Sequence, residues 1–251
     1  MMVEGGRRLD GNVALVTGAS KGIGRASALA LAREGAAVVA VARGGSAKVD
    51  LLESLGDEVR ALGAGYAFVA GDVRDEQTAA SAVDLAISTF GRVDVLLNNA
   101  GIGSYADFID ATVELYESIM DTSMRSTFLF TRAVVPHMKE QGKGLILQIA
   151  SQAGLRGFPR EAVYCAAKHA QVGFTRALRQ ELQPFGIKVG VICPAGVKTD
   201  FALGHGRTPE SVATSGFLDA EDVADAVLFV ATQSPRSRIA ELGLISVNEA
   251  L

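Results

Sequence analysis

Val13-Ala14-Leu15-Val16-Thr17-Gly18-Ala19-Ser20-Lys21-Gly22-Ile23-Gly24 decides the fold class. Its unbroken apolar start reads as a strand covered on both faces. Glycines follow at 18, 22 and 24, and an amphipathic helical stretch over residues 23–33 begins among them. Glycine accepts φ > 0 and leaves room for a diphosphate, and a helix start supplies free N–H groups and the positive end of its dipole. The spacing G-x-x-x-G-x-G differs from G-x-G-x-x-G but places the same groups. A nucleotide site is therefore predicted on Gly18, Ser20, Lys21, Gly22, Ile23 and Gly24, with a plain tight turn as the alternative.

Outward from this segment, strands and helices alternate. Residues 13–17, 37–42, 66–70, 93–97, 145–150, 188–193 and 244–247 read as strands. Residues 23–33, 47–62, 76–90, 113–141, 163–185 and 220–232 read as helices. Such alternation predicts an α/β chain with a doubly wound parallel Rossmann-type sheet of about seven strands. No repeat and no Pro, Gly or Ser-rich linker divides it, so 1–251 is expected to be one domain. Residues 1–9 are expected to be disordered, and 201–217 to form a substrate-loop insertion.

Composition narrows the classes. The chain has 251 residues, a formal charge of −4 and 49% hydrophobic residues. No Lys/Arg cluster points to nucleic acid. Cys165 and Cys193 lack metal spacing and read as small buried hydrophobes, and no metal is expected. No stretch has the form of a signal peptide or is long enough to span a bilayer, so a soluble cytoplasmic protein with no membrane partner is expected.

The end of the second predicted strand selects the nicotinamide. An acid there would hold the 2′-hydroxyl of NAD. Here Ala42 is followed by Arg43, which can grip a 2′-phosphate bidentately, and Lys21 adds a second cation. NADP(H) is expected. Asp72, with Val73 after it, either accepts the adenine amino group or caps the next helix. The small residues of Asn98-Asn99-Ala100-Gly101 let a ribose lie against the backbone, so Asn99, Ala100 and Gly101 are also cofactor candidates.

Tyr164 and Lys168 are four apart in a helical stretch and share a face. An ammonium beside the phenol favours phenolate and brings the group toward working pH. Lys168 can also bind the nicotinamide ribose, and Ser151 at the end of the fifth strand can hold a substrate oxygen. The catalytic candidates are Ser151, Tyr164 and Lys168.

These residues together resemble the short-chain dehydrogenase/reductase family, in its branch of about 250 residues. The likeness runs from about Asp10 to Val247 through TGASKGIG at 17–24, Asp72, NNAG at 98–101, Ser151, and Tyr164 with Lys168. The resemblance implies that Pro194, Gly196, Val197 and Thr199, in Pro194-Ala195-Gly196-Val197-Lys198-Thr199, also meet the cofactor, the Val197 backbone and the Thr199 hydroxyl holding its carboxamide. It implies an NADPH-dependent reductase of a ketone or 3-oxoacyl-type substrate. One position departs: Ser123 stands where the family usually has an asparagine that helps hold a water linking the lysine to solvent. That departure keeps a second reading open, a weakened NADP-binding regulator, and isomerisation or dehydration at the same site is a third.

Tyr105, Phe108, Leu155, Phe158, Phe201, Leu203 and Phe217 predict an apolar substrate pocket with few charges. The two long helices, 113–141 and 163–185, are apolar beyond one stripe, from core packing or from contact with a second subunit. A homo-oligomer, dimer or tetramer, is expected through them. Arg125, Arg132, Arg176 and Arg179 are either a patch for an acidic carrier protein or solvated helix faces.

Overall fold

Apolar side chains alternate between two helical layers along every central strand of the sheet. The computed structural model describes residues 6–248. Its strands are β1 (Val13–Thr17), β2 (Ala37–Ala42), β3 (Tyr66–Ala70), β4 (Val95–Asn98), β5 (Gly144–Ile149), β6 (Ile187–Pro194) and β7 (Glu241–Leu244). All pairs are parallel, in the order β3-β2-β1-β4-β5-β6-β7. The order reverses direction between β1 and β4, which opens a crevice at the carboxyl ends of those strands.

Helices α1 (Gly22–Arg33), α2 (Ser46–Ala61) and α8 (Ala220–Ala231) cover one face. There Ala14, Val16 and Leu97 pack with Leu31, Leu55 and Val227. Helices α3 (Glu76–Phe90), α5 (Ser126–Gln141) and α6 (Ala162–Leu182) cover the other. There Leu15, Leu96 and Ile146 pack with Val83, Phe130 and Leu182. Residues adjacent in a strand thus enter opposite cores, as the pleat requires. Each fully buried leucine or phenylalanine contributes roughly 1.5–3 kcal/mol.

Local signals set the helix ends. Asp75 accepts from Gln77 N ahead of α3, and Asp219 and Asp222 form a capping box at α8. Gly91 and Gly142 end α3 and α5 with φ of 79° and 65°.

Four sequence expectations change. The stretch 113–141 is not one regular helix: α4 (Val113–Met120) runs into a π turn at Asp121–Arg125 before α5. The last strand lies at Glu241–Leu244 instead of 244–247. Val191 N donates to Ala240 O and Ala195 N to Leu244 O, which fixes the register, and β6 has no residue left to pair beyond it. A short helix, α7 (Pro209–Ala213), stands in the expected loop 201–217. Of the expected disordered stretch 1–9, residues 1–5 lie outside the described residues. Arg8 is paired with Glu34 at 2.8 Å and Leu9 is buried. No helix among the described residues is long and apolar enough to cross a membrane.

Candidate active site

A cleft of about 790 Å³ runs across the carboxyl ends of the strands. It is lined by Gly18, Ser20, Lys21, Gly22 and Ile23 at the β1–α1 turn, by Ala42 at the end of β2 with Arg43 and Lys48 after it, and by Asp72 and Val73 after β3. Asn99–Gly101 after β4, Ser151 after β5, Tyr164 and Lys168 on α6, and Pro194 to Thr199 after β6 complete it. Of the predicted cofactor residues only Gly24 is outside the lining. It sits one layer below, where a Cβ would overlap the Gly18 carbonyl and Asn99 Nδ2. Gly18 has φ +67°, and a Cβ there would press on Asn99 and Ala100. The turn is therefore held against β4 at backbone distance. Asn99 fastens it, donating through Nδ2 to Thr17 O at 2.9 Å and to Gly18 O at 3.3 Å. The bare backbone at the start of α1 and this side-chain-free cradle fit a pyrophosphate.

The polar residues at the adenosine end differ from expectation. Lys21 is paired with Asp200 at 2.7 Å. Asp72 neither caps α3, which Asp75 does, nor stands free: it accepts from Arg74 Nη2 at 2.7 Å and from Arg74 Nε and N. The Arg74 hydrogen bonds hold the Asp72 carboxyl below its usual range, so it remains an ionised acceptor facing the cleft. Lys48, which sequence reading assigned only to a helix, lies with Arg43 in the lining. Burial first, then Arg43 and Lys21, lowers its affinity for a proton. Arg43 and Lys21 are thus both within electrostatic reach of Lys48, and Lys21 is also paired with Asp200.

At the other end Tyr164 is buried, and Ser151 lines the same part of the cleft and favours the ionised phenol. Ser151 also accepts from Ala153 N at 3.1 Å. Burial pushes the phenol up; Ser151 and then Arg207 oppose this. Lys168 Nζ lies 5.6 Å from the Tyr164 ring centroid. It donates to Ile149 O at 3.0 Å and to Gln171 Oε1 at 2.9 Å. Burial lowers Lys168 to about 8. The ammonium thus stands alongside the phenol ring, with two of its hydrogen bonds taken by Ile149 O and Gln171 Oε1.

Tyr105, Phe158, Phe201, Leu203 and Phe217 line the cleft, with Phe201 against Tyr164 at 5.5 Å between centroids. Phe108 and Leu155 do not: they are 77% and 37% exposed, outside the lining. The pocket is also more charged than expected. Glu161, His205 and Arg207 line it. The Arg207 guanidinium lies 5.0–5.7 Å from the ring centroids of Phe217, Tyr105 and Phe201. It donates to Tyr105 Oη at 2.9 Å and to Val197 O at 3.3 Å, and forms no ion pair among the described residues. Burial raises Glu161. Thr199 is in the lining, its Oγ accepting from Phe201 N at 3.3 Å. On the outer helices, Arg125, Arg132 and Arg176 are paired with Asp121, Glu76 and Glu241, which supports solvated faces over a free basic patch.

The family model "short chain dehydrogenase" matches residues 12–208. The chain is 34% identical over 226 residues to the 3-oxoacyl-acyl-carrier-protein reductase of Synechocystis, covering 89% of this chain and 90% of that one. An alcohol dehydrogenase from Thermococcus sibiricus, solved with 5-hydroxy-NADP, has a TM-score of 0.85 at 29% identity, covering 96% of this chain and 98% of its own. Carveol dehydrogenase from Mycobacterium avium, solved with NAD, has a TM-score of 0.86 at 28% identity with the same coverage.

Proposed function

The chain belongs to the short chain dehydrogenase family, and on that premise we propose that it reduces a ketone or 3-oxoacyl-type β-keto group to the secondary alcohol with NADPH, reversibly. It is an oxidoreductase of the CH–OH/C=O couple with a nicotinamide cofactor. The observation that carries the finer reading is the joint layout of the cleft. Ser151, Tyr164 and the buried Lys168 lie at one end, and Arg43 and Lys48 at the other.

The bound nicotinamide would supply the hydride. Ser151 holds the substrate oxygen and Tyr164 Oη gives it a proton, since both residues line the same part of the cleft. Lys168 is a fixed positive charge beside the phenol and favours its ionised form in the reverse direction. Gly18 to Ile23 hold the pyrophosphate. Arg43 and Lys48 hold a 2′-phosphate, with no carboxylate at Ala42 to repel it. Asp72 and Val73 receive the adenine, Asn99 to Gly101 the ribose, and Pro194, Gly196, Val197 and Thr199 the carboxamide. Half-exposed Phe128 and Tyr116 on the long helical stretch support assembly into a homo-oligomer through that face.

A panel of cyclic ketones, aryl ketones and β-keto thioesters, assayed by absorbance with NADPH and NADH in parallel, tests the reading. Turnover with NADPH well above that with NADH supports it. No ketone turned over with either cofactor, or a clear preference for NADH, contradicts it.

A further inference from the structure

Behind Lys168 lies a polar chain that the reaction scheme above does not use. Gln171, one turn on in α6, is fully buried. Its Nε2 donates to Ser123 O at 3.2 Å and to Thr127 Oγ1 at 2.8 Å. A carbonyl can only accept, so the amide orientation is forced and Oε1 must face the Lys168 ammonium. Thr127 Oγ1 in turn donates to Gln148 Oε1 of β5 at 3.4 Å. Donors therefore run in one direction from Lys168 through Gln171 and Thr127 to the sheet, which lets each bond polarise the next.

The π turn makes this possible. It places Ser123 O where a side chain of α6 can reach it, and π turns frequently mark functional sites. Ser123 Oγ is buried without a hydrogen-bond partner among the described residues. A Cβ at Gly101 would lie 3.5 Å from Lys168 Nζ and 3.8 Å from Ser123 Oγ, so both groups border the same space beneath the cleft. The short serine leaves room there, and the amide comes from the facing helix.

We propose that Gln171 is a positioning residue: anchored on the Ser123 carbonyl and the Thr127 hydroxyl, it holds the Lys168 ammonium beside Tyr164 and leaves one N–H for the cleft. An ammonium has three donors, and Ile149 O and Gln171 Oε1 take two. Without Gln171 the ammonium would lose its one side-chain acceptor among the described residues, would be freer to turn, and would be harder to keep charged. The titratable groups facing Lys168 are the Tyr164 phenol on its own helix and the Cys193 thiol of β6, both driven by burial toward the neutral form. Asp121 and Arg125 of the π turn are paired with each other at 3.8 Å and point outward.

This inference rests on the reductase reading for its kinetic arm only. In Gln171→Leu, kcat should fall about 10–100-fold, the loss expected for one hydrogen bond to a charged group, with KM for ketone and NADPH little changed. Lysine 13Cε NMR of the cofactor-free protein, assigned with Lys168→Met, should show the Lys168 titration midpoint below that of wild type. Ser123→Asn added to Gln171→Leu should restore part of both by supplying an amide from the opposite helix. Should Gln171→Leu fail to fold, Gln171→Met carries the same readouts. An unchanged midpoint overturns the proposal, whether or not the rate falls, because packing alone would then account for Gln171. A lowered midpoint in a protein whose wild type reduces no ketone would sink the reductase reading and leave the Lys168–Gln171 pairing standing.

Discussion

The Lys21 ammonium sits 2.7 Å from the Asp200 carboxylate and ties the glycine turn to the chain that leaves β6. Both side chains are about half exposed, so the pair is worth roughly 0.2–1 kcal/mol. A cofactor phosphate has to compete with Asp200 for this lysine. Asp200→Asn should therefore tighten NADPH about 2–5-fold in a fluorescence titration, and NADH less. The gain should shrink in high salt, because exposed charges are screened. Weaker NADPH binding in Asp200→Asn would show that the bridge holds the site closed instead.

Arg43 and Lys48 carry the selectivity in this account. Each contact of a cation with a phosphate is worth about 1.5–3 kcal/mol. Arg43→Ala should lower kcat/KM for NADPH about 10–100-fold and leave that for NADH within a few-fold. Lys48→Ala should act the same way and less strongly, since burial already weakens its hold on a proton. Equal losses for both cofactors in steady-state kinetics would mean that neither residue reads the 2′-phosphate.

Much of this site was legible before any coordinates, for a physical reason. The β1–α1 turn, the end of β2 and the Tyr164–Lys168 spacing are local, and local spacing fixes which groups share a turn or a helix face. Lys48 lies at the start of α2, and nothing in its neighbours shows that this end of the helix turns toward Arg43. Gln171 reads as one more helix residue until the π turn brings Ser123 O across to it, and that turn, Asp121-Thr122-Ser123-Met124-Arg125, has a single apolar residue with which to show a shift of the helical stripe. Arg207 meets Tyr105 across 102 positions, a contact that only the folded loop creates. Leu244-Ile245-Ser246-Val247 looks more strand-like than Glu241-Leu242-Gly243-Leu244, while pairing with β6 selects the latter.

Lys168 should leave a mark on stability as a function of pH. Its folded value is lowered to about 8, below the ordinary lysine range, so between these limits the unfolded chain binds more protons than the folded one. Stability from this group therefore rises with pH, starting near pH 8. Urea denaturation of wild type and Lys168→Met should show wild type gaining on the variant between about pH 8 and pH 10, by up to roughly 3 kcal/mol. A constant difference across that range would mean that the ammonium is not penalised by burial.

Arg207 stands among three rings, within electrostatic reach of Glu161 but in no ion pair among the described residues, so an anionic group on the substrate would complete its hydrogen bonding. Arg207→Met should lower kcat/KM for a keto acid about 10-fold more than for its methyl ester. Equal effects on both would mark Arg207 as a strut that fastens the loop to Tyr105 and nothing more.

The central claim is that Tyr164 gives and takes the proton beside Ser151 and Lys168. Tyr164→Phe removes one oxygen from a buried ring and leaves its packing on Phe201 in place. The account predicts that kcat with NADPH and the best ketone falls at least about 100-fold while NADPH binding, read by fluorescence titration on the same preparation, stays within a few-fold. Retention of most of the wild-type kcat in Tyr164→Phe would contradict it.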